Sequence, residues 1–287
     1  MKIAYIILAH RYPEQLIRFV LRLNNDNVSF FIHIDKKASN EVFYQIQNDL
    51  HSIKHIYFLK RYRCFWGDFN IVKATLEGIK GVVKAGIDFD YVILLSGQDY
   101  LIKPISQLEN FLKNNEGKEF MEFFALDSRN KWTDQGGYFQ AFKRIDSWHF
   151  RFRSKHLCLN RKRQFPIGLE PYGGTQWWCL SKQCIEYINN FIIQNNAFVN
   201  YFKYVFIPDE VFFQTIILNS PFKDNVINDD LRYVDWENPN PNVPAILSET
   251  DWTTIINSSK FFARKFDITR DPKILDMIDQ NILNADK

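Results

Sequence analysis

The chain is expected to be an α/β protein with a mostly parallel central sheet flanked by helices, and two observations carry that expectation. Apolar runs of strand length alternate with stretches of helical period through roughly the first hundred residues, the rhythm of strand, crossover helix and parallel strand. The 287 residues, 46% hydrophobic and 24% charged, suffice for a sizeable core and are too apolar for low-complexity disorder.

Ile3 to Ala9 reads as a buried strand, and Pro13 to Leu23 follows as a helix with proline at its start and Leu16, Phe19, Val20 and Leu23 on one stripe. Val28 to Ile34 is again a strand. A helix from Ser39 to about Leu50, a short strand His55 to Phe58, a helix over Asn70 to Val83 and a strand Tyr91 to Leu95 complete the regular part. Beyond Lys118 the order loosens. Phe120 to Phe124 and Gln176 to Leu180 read as strands, Lys182 to Ile193 and Pro208 to Leu218 as helices, with a long polar and basic excursion near 126 to 172. No repeat or linker interrupts the chain, and Asn238 to Pro244 reads as a proline-punctuated loop inside a single domain.

Lys and Arg total 36 against 33 Asp and Glu, a formal +3, too small for the field of a dedicated nucleic-acid binder. Aromatic residues reach 16%; most must be core. Cys64, Cys158, Cys179 and Cys184 lack the paired spacing of a zinc site and read as reduced thiols. The apolar run Ile3 to Ala9 is cut off by His10 and Arg11, short of a signal segment or a membrane span. A cytoplasmic protein is expected, with room for peripheral contact at the inner membrane face.

In open parallel sheets ligands bind beyond the carboxyl ends of the strands. The residues there are His10, Asp35 and Ser96-Gly97-Gln98-Asp99. Each taken singly is an ordinary turn residue; their coincidence at one edge points to a site. There is no P-loop and no G-x-G-x-x-G opening a helix, nor a G-x-S-x-G elbow or H-E-x-x-H pair.

Ala9-His10-Arg11, Phe31-Ile32-His33-Ile34-Asp35-Lys36, Trp66-Gly67, Leu94 to Tyr100, Thr175 to Ser181, Pro208-Asp209-Glu210, Arg232 to Trp236 and Phe262 to Asp267 occur in that order. The set resembles the core-2/I-branching N-acetylglucosaminyltransferase family, which includes the peptide O-xylosyltransferases. The resemblance implies a GT-A-type nucleotide-sugar-binding fold, an inverting transfer that builds a β-linkage, and independence from a divalent metal. It divides the single domain into a nucleotide-binding half, 1–125, and an acceptor and catalytic half, 126–287. The only D-x-D spacing in the sequence, Asp88-Phe89-Asp90, precedes its strand and reads as a turn at the wrong edge.

By this resemblance Glu210 is the general base; the residues alone allow either a helix-cap carboxylate or a base kept ionised by the first turn of a helix. Arg232 and Lys265 stand where the family binds the diphosphate, in place of a metal, although surface ion pairs are the ordinary fate of such side chains and Arg264 competes with Lys265. Asp35 stands where the family recognises uracil, with His10 as a wall beside it. Ser96, Gly97, Gln98 and Asp99 would approach the donor sugar, Gly97 letting the backbone come close; Leu101 replaces the family's usual proline. Of Trp177 and Trp178, one ring is expected in the core while its neighbour either packs likewise or faces an acceptor sugar. Lys143 to Arg163, with eight cations against Asp146, reads as a solvated acceptor loop that could also meet an anionic membrane.

The expected activity is therefore transfer of a sugar, GlcNAc or xylose, from a UDP-sugar to a saccharide acceptor. No cofactor or metal and no nucleic acid is expected. The acceptor belongs to surface polysaccharide or lipid-linked oligosaccharide assembly, in a bacterial-type relative whose sequence starts directly in its first strand. The alternatives are a metal-dependent transferase using Asp99 and a non-catalytic carbohydrate-binding protein.

Overall fold

The computed structural model describes residues 1–153, 155–237 and 243–283, with the side chains of all but 135–140 and 283. The loop expected at Asn238 to Pro244 lies largely outside the described residues. In chain order the elements are β1 (Ile3–Ala9), α1 (Pro13–Leu23), β2 (Val28–Ile34), α2 (Asn40–Asp49), β3 (Ile56–Phe58), α3 (Asn70–Lys84), β4 (Tyr91–Ser96), β5 (Tyr100–Leu101) and α4 (Ile105–Asn114). Then come β6 (Glu119–Ala125), α5 (Lys131–Asp146), β7 (Trp148–Phe152), β8 (Lys155–Leu159), β9 (Tyr172–Ser181), α6 (Lys182–Gln194), α7 (Asn196–Phe202) and α8 (Phe212–Leu218). The last are β10 (Val226–Ile227), β11 (Arg232–Val234), α9 (Trp252–Asn257), β12 (Phe262–Arg264) and α10 (Lys273–Ile278).

The chain forms two compact units interleaved in sequence: Met1–Leu59 with Asp88–Gly117 and Leu231–Lys287, and Lys60–Ile87 with Lys118–Asp230. Their boundaries do not coincide with a single cut after residue 125.

In the first unit, β1 lies between β2 and β4, all parallel, with β3 beyond β2. The strands are apolar nearly throughout because both faces are covered. The register pairs Ala9 with Ile34 and Leu8 with Ser96. Two more backbone bonds, Asp35 N–H to Ala9 O at 2.8 Å and Gly97 N–H to Leu8 O at 3.0 Å, carry the pairing past the strand ends. His10, Asp35 and the 96–99 loop therefore emerge at one edge. α1 starts at its proline and buries Gln15, Leu16, Phe19, Val20 and Leu23, each large apolar side chain contributing about 1.5–3 kcal/mol. α2 is capped by Ser39, whose hydroxyl accepts from Val42 N–H at 3.2 Å. β11, β12 and β5 form a small second sheet that sets Arg232 beside Phe262 and Val234 beside Arg264.

In the second unit β6 pairs parallel with β10 and antiparallel with β9. The β6–β9 register shifts between Met121 and Phe123. Opposite that irregularity a Cβ on Gly174 would fall onto the Glu122 carbonyl oxygen, so the bulge needs glycine.

The 126–172 excursion is more ordered than expected. Asn130 caps α5 in a reciprocal box with Thr133, and β7 and β8 form an antiparallel hairpin. The expected helix from Pro208 to Leu218 is broken: a 3₁₀ turn spans Pro208–Glu210, and α8 begins only after Val211, at φ −133°. Among the described residues the cysteines are free, no cluster of His, Cys, Asp or Glu could hold a metal, and no helix is long and apolar enough to cross a membrane.

Candidate functional site

At the strand edge of the first unit, the loop after β4 is built by its own polar groups. Asp99 Oδ2 accepts from Ser96 N–H at 2.9 Å, and Ser96 Oγ accepts from Gln98 N–H at 3.1 Å. Gln98 reaches the far end of the chain, exchanging Phe266 N–H to Gln98 O at 2.9 Å and Gln98 Nε2 to Phe266 O at 3.1 Å. The buried Gln15 of α1 closes the assembly: Nε2 donates to Gly97 O at 3.0 Å and Phe266 O at 3.3 Å, while Oε1 accepts from Ile268 N–H at 2.9 Å. Gly97 itself faces β1. An added Cβ would stand 2.9 Å from Ala9 Cβ, so the close approach expected toward a sugar is made to Ala9 instead. Asp35 is buried, accepting from Lys37 N–H at 2.8 Å, with Lys37 Nζ 3.4 Å away.

Cations gather at the same edge. Arg232, expected to meet a diphosphate, has a fully buried guanidinium with Nε 3.4 Å from Asp99 Oδ2 and a further hydrogen bond to the Leu94 carbonyl. It is an internal partner of Asp99. Arg264 Nε lies 3.7 Å from the other Asp99 oxygen. Lys265 is only partly covered, and its ammonium is held below the usual lysine range, first by desolvation and then by the charges of Arg264 and Arg11. His10 is exposed at one side, yet desolvation by the surrounding protein, with Arg11 and Lys265, pushes it down to about 4. Arg11 Nε donates to His10 Nε2 at 2.8 Å, an acceptor role that a neutral ring can fill.

The second unit carries a carboxylate pair. Glu210 Oε2 accepts from Arg144 Nη1 at 3.0 Å, and the guanidinium of Arg144 lies 3.9 Å over the ring of Trp132. About a third of the Glu210 side chain, 32%, is open. Burial nevertheless raises its proton affinity, opposed by Arg144 and Lys131. The expectation of a base kept ionised by a helix start is corrected: a three-residue 3₁₀ turn supplies little dipole, and desolvation dominates. Next to it Asp209 is buried, its Oδ1 lacks a hydrogen-bond partner, and burial followed by the charge of Glu210 pushes it up to about 7.

Trp177 and Trp178 on β9 are 8% and 0% exposed. Both therefore belong to the core, Trp178 against Phe213 at 5.7 Å between ring centres, and neither offers a face for stacking a sugar. The basic segment is not one solvated loop. Arg144 holds Glu210, Arg151 Nε lies 2.6 Å from Asp68 Oδ2, and Arg163 stacks on Tyr201 at 3.8 Å while donating to the backbone carbonyls of Ser147, Tyr201 and Tyr204.

Sequence reasoning did not single out Gln15 or the Arg144 contact to Glu210. Gln15 carried a signal, since it falls on the apolar stripe of α1 where an amide needs a buried partner. Arg144 carried none, being 66 residues from its carboxylate.

The model of the family described as Core-2/I-Branching enzyme matches residues 3–256. Curated relatives include xylosyltransferase 2 of Rattus norvegicus, 25% identical over 99% of this chain and 34% of the rat protein. Beta-glucuronosyltransferase GlcAT14A of Arabidopsis thaliana is 25% identical over 94% of this chain and 62% of its own. The chain thus spans about a third of the length of the xylosyltransferases it matches. Among solved structures, galactosyltransferase LgtC is similar with a TM-score of 0.43 and 9% identity, over 91% of this chain and 86% of that one, too weak a likeness to argue from.

Proposed function

Because the chain belongs to the Core-2/I-Branching enzyme family, we propose that it is a glycosyltransferase that moves a sugar from a UDP-sugar to a saccharide hydroxyl, with inversion and without a divalent metal. The observation that carries this reading is the cation cluster of the first unit, where Lys265 is held below its usual range by burial and by Arg264 and Arg11. An entering diphosphate would relieve that repulsion and take up the role a metal plays elsewhere.

In this reading Lys265 meets the diphosphate directly. Arg232 holds Asp99 at 3.4 Å, and in this reading it positions Asp99 and the 96–99 loop. Asp99, the one residue weighed as a metal ligand, already faces two arginines, which supports fixed cations over a metal. Asp35 and His10 line the nucleobase. Glu210, its proton affinity raised by burial, takes the proton of the acceptor hydroxyl while that oxygen bonds the anomeric carbon and the bond from that carbon to the diphosphate oxygen breaks. Arg144 keeps the carboxylate available and oriented. The proposed donor sugar is GlcNAc; similarity to xylosyltransferases keeps xylose as the alternative, and product mass separates them. The acceptor is proposed to be a growing surface saccharide, lipid-linked where the basic segment meets a membrane.

Calorimetric titration of UDP and UDP-GlcNAc in EDTA tests the reading. Binding in EDTA that Lys265→Ala weakens is the expected result. Binding only with manganese would replace fixed cations by a metal at Asp99, and no binding in either condition would leave a carbohydrate-binding protein without transfer.

A further inference from the structure

The β7–β8 hairpin has two unlike faces. Paired residues share a side, so Trp148 with Leu159 and Phe150 with Leu157 fall on one face, and His149 with Cys158 and Arg151 with His156 on the other. The second face is anchored. His149 and His156 stack 5.1 Å apart and both lie on Phe206, while Arg151 Nε is 2.6 Å from Asp68 and its Nη2 3.2 Å from Trp66 O. The first face is left outward: Phe150 is 42%, Phe152 63%, Leu157 39% and Leu159 55% exposed. Trp148, at the base, packs on Tyr204.

Cations ring this apolar face. Arg153, Lys155, Arg161 and Lys162 are all exposed, and no acidic residue occurs from 147 to 169. A face meant for another soluble protein of mixed charge has no need of such a one-sided rim, whereas phenylalanine and leucine among lysine and arginine is the chemistry of a surface that sinks into the headgroup layer of an anionic bilayer.

We propose that the outward face of the β7–β8 hairpin docks the protein on anionic membrane surfaces, with Phe150, Phe152, Leu157 and Leu159 entering the interface and Arg153, Lys155, Arg161 and Lys162 meeting lipid phosphates. Arg163 takes no part, because it is turned inward on Tyr201 and Trp148. The proposal extends the membrane part of the functional reading, and it is tested without donor or acceptor, so its failure leaves the transfer reading standing.

The test is flotation of the full chain with phosphatidylcholine vesicles, with and without phosphatidylglycerol. The wild type is expected to float with the anionic vesicles only. Phe152→Ser with Leu159→Ser should weaken flotation about tenfold or more, and Arg153→Gln with Lys155→Gln should weaken it similarly, while Ile167→Ser, an exposed apolar site off the hairpin, should leave it unchanged. The charge variant keeps the test decisive if the apolar one does not fold. Absence of flotation by the folded wild type overturns the proposal, as does equal flotation with neutral vesicles. So does a dimer, seen by sedimentation velocity, that the apolar substitutions dissolve, since the face would then be covered by a second copy.

Discussion

Lys265 in the first unit and Glu210 in the second each hold a charge that their surroundings disfavour, and they differ in what opposes it. Around Lys265 burial is reinforced by Arg264 and Arg11, so the group is relieved by an anion. Around Glu210 burial is reinforced by the nearby Glu122 and countered by Arg144 and Lys131, so the group is relieved by a proton. The same physical cost, desolvation of an ion, thus disfavours a positive charge in one region and a negative charge in the other. Arg232 and Asp99 show a third arrangement, in which opposite charges are buried against each other.

The sharpest way to break this contrast is Glu210→Gln. Transfer should fall by about 10² to 10⁴ in single-turnover assays while UDP binding is kept; equal loss of both would remove Glu210 from proton transfer. Lys265→Ala should weaken UDP roughly ten- to hundredfold by calorimetry, with the loss shrinking at high salt. Asp209→Asn sharpens the comparison through stability. With its folded value near 7 against an ordinary 3.8, Asp209 favours the folded state at low pH, and that contribution is lost as pH rises through about 7. Urea unfolding should therefore find the variant about 1 to 2 kcal/mol more stable than wild type at alkaline pH and little different at pH 4. The smallest effect is expected from Arg144→Gln: removing the guanidinium raises Glu210 further, so the acid limb of the pH–rate profile moves to higher pH, and an unmoved limb would separate the pair from catalysis.

Much of the first unit was legible in sequence because its signals are local. Ile3–Ala9 and Val28–Ile34 are apolar runs with the bounds expected, and α1 and α2 announce themselves by Pro13 and Ser39. The edge carrying His10, Asp35 and Asp99 followed from those strands. α5 was missed because its apolar residues do not recur at helical spacing, although Asn130 and Thr133 spell its cap. β7 and β8 were hidden among cations, as an exposed hairpin needs no continuous apolar run. The helix start at Pro208 was misread because Val211 leaves helical geometry, which no residue type there announces. Arg232 was expected to meet a diphosphate or, failing that, to be a surface ion-pair residue; its buried pairing with Asp99, 133 residues away, had no local signal.

The interleaving of the two units bears on how the chain is made. Every segment of the second unit has been synthesised once Asp230 is added, whereas the first unit waits for Leu231 onward to supply β11, β12 and the Phe266 backbone that Gln15 and Gln98 hold. Units of this kind fold as their pieces emerge, so the unit that begins the chain is the last to close. Until it does, Asp99 waits without Arg232 or Arg264, and the parallel strands stand without their lysine. Synthesis thus completes the unit that carries Glu210 before the unit that carries Lys265.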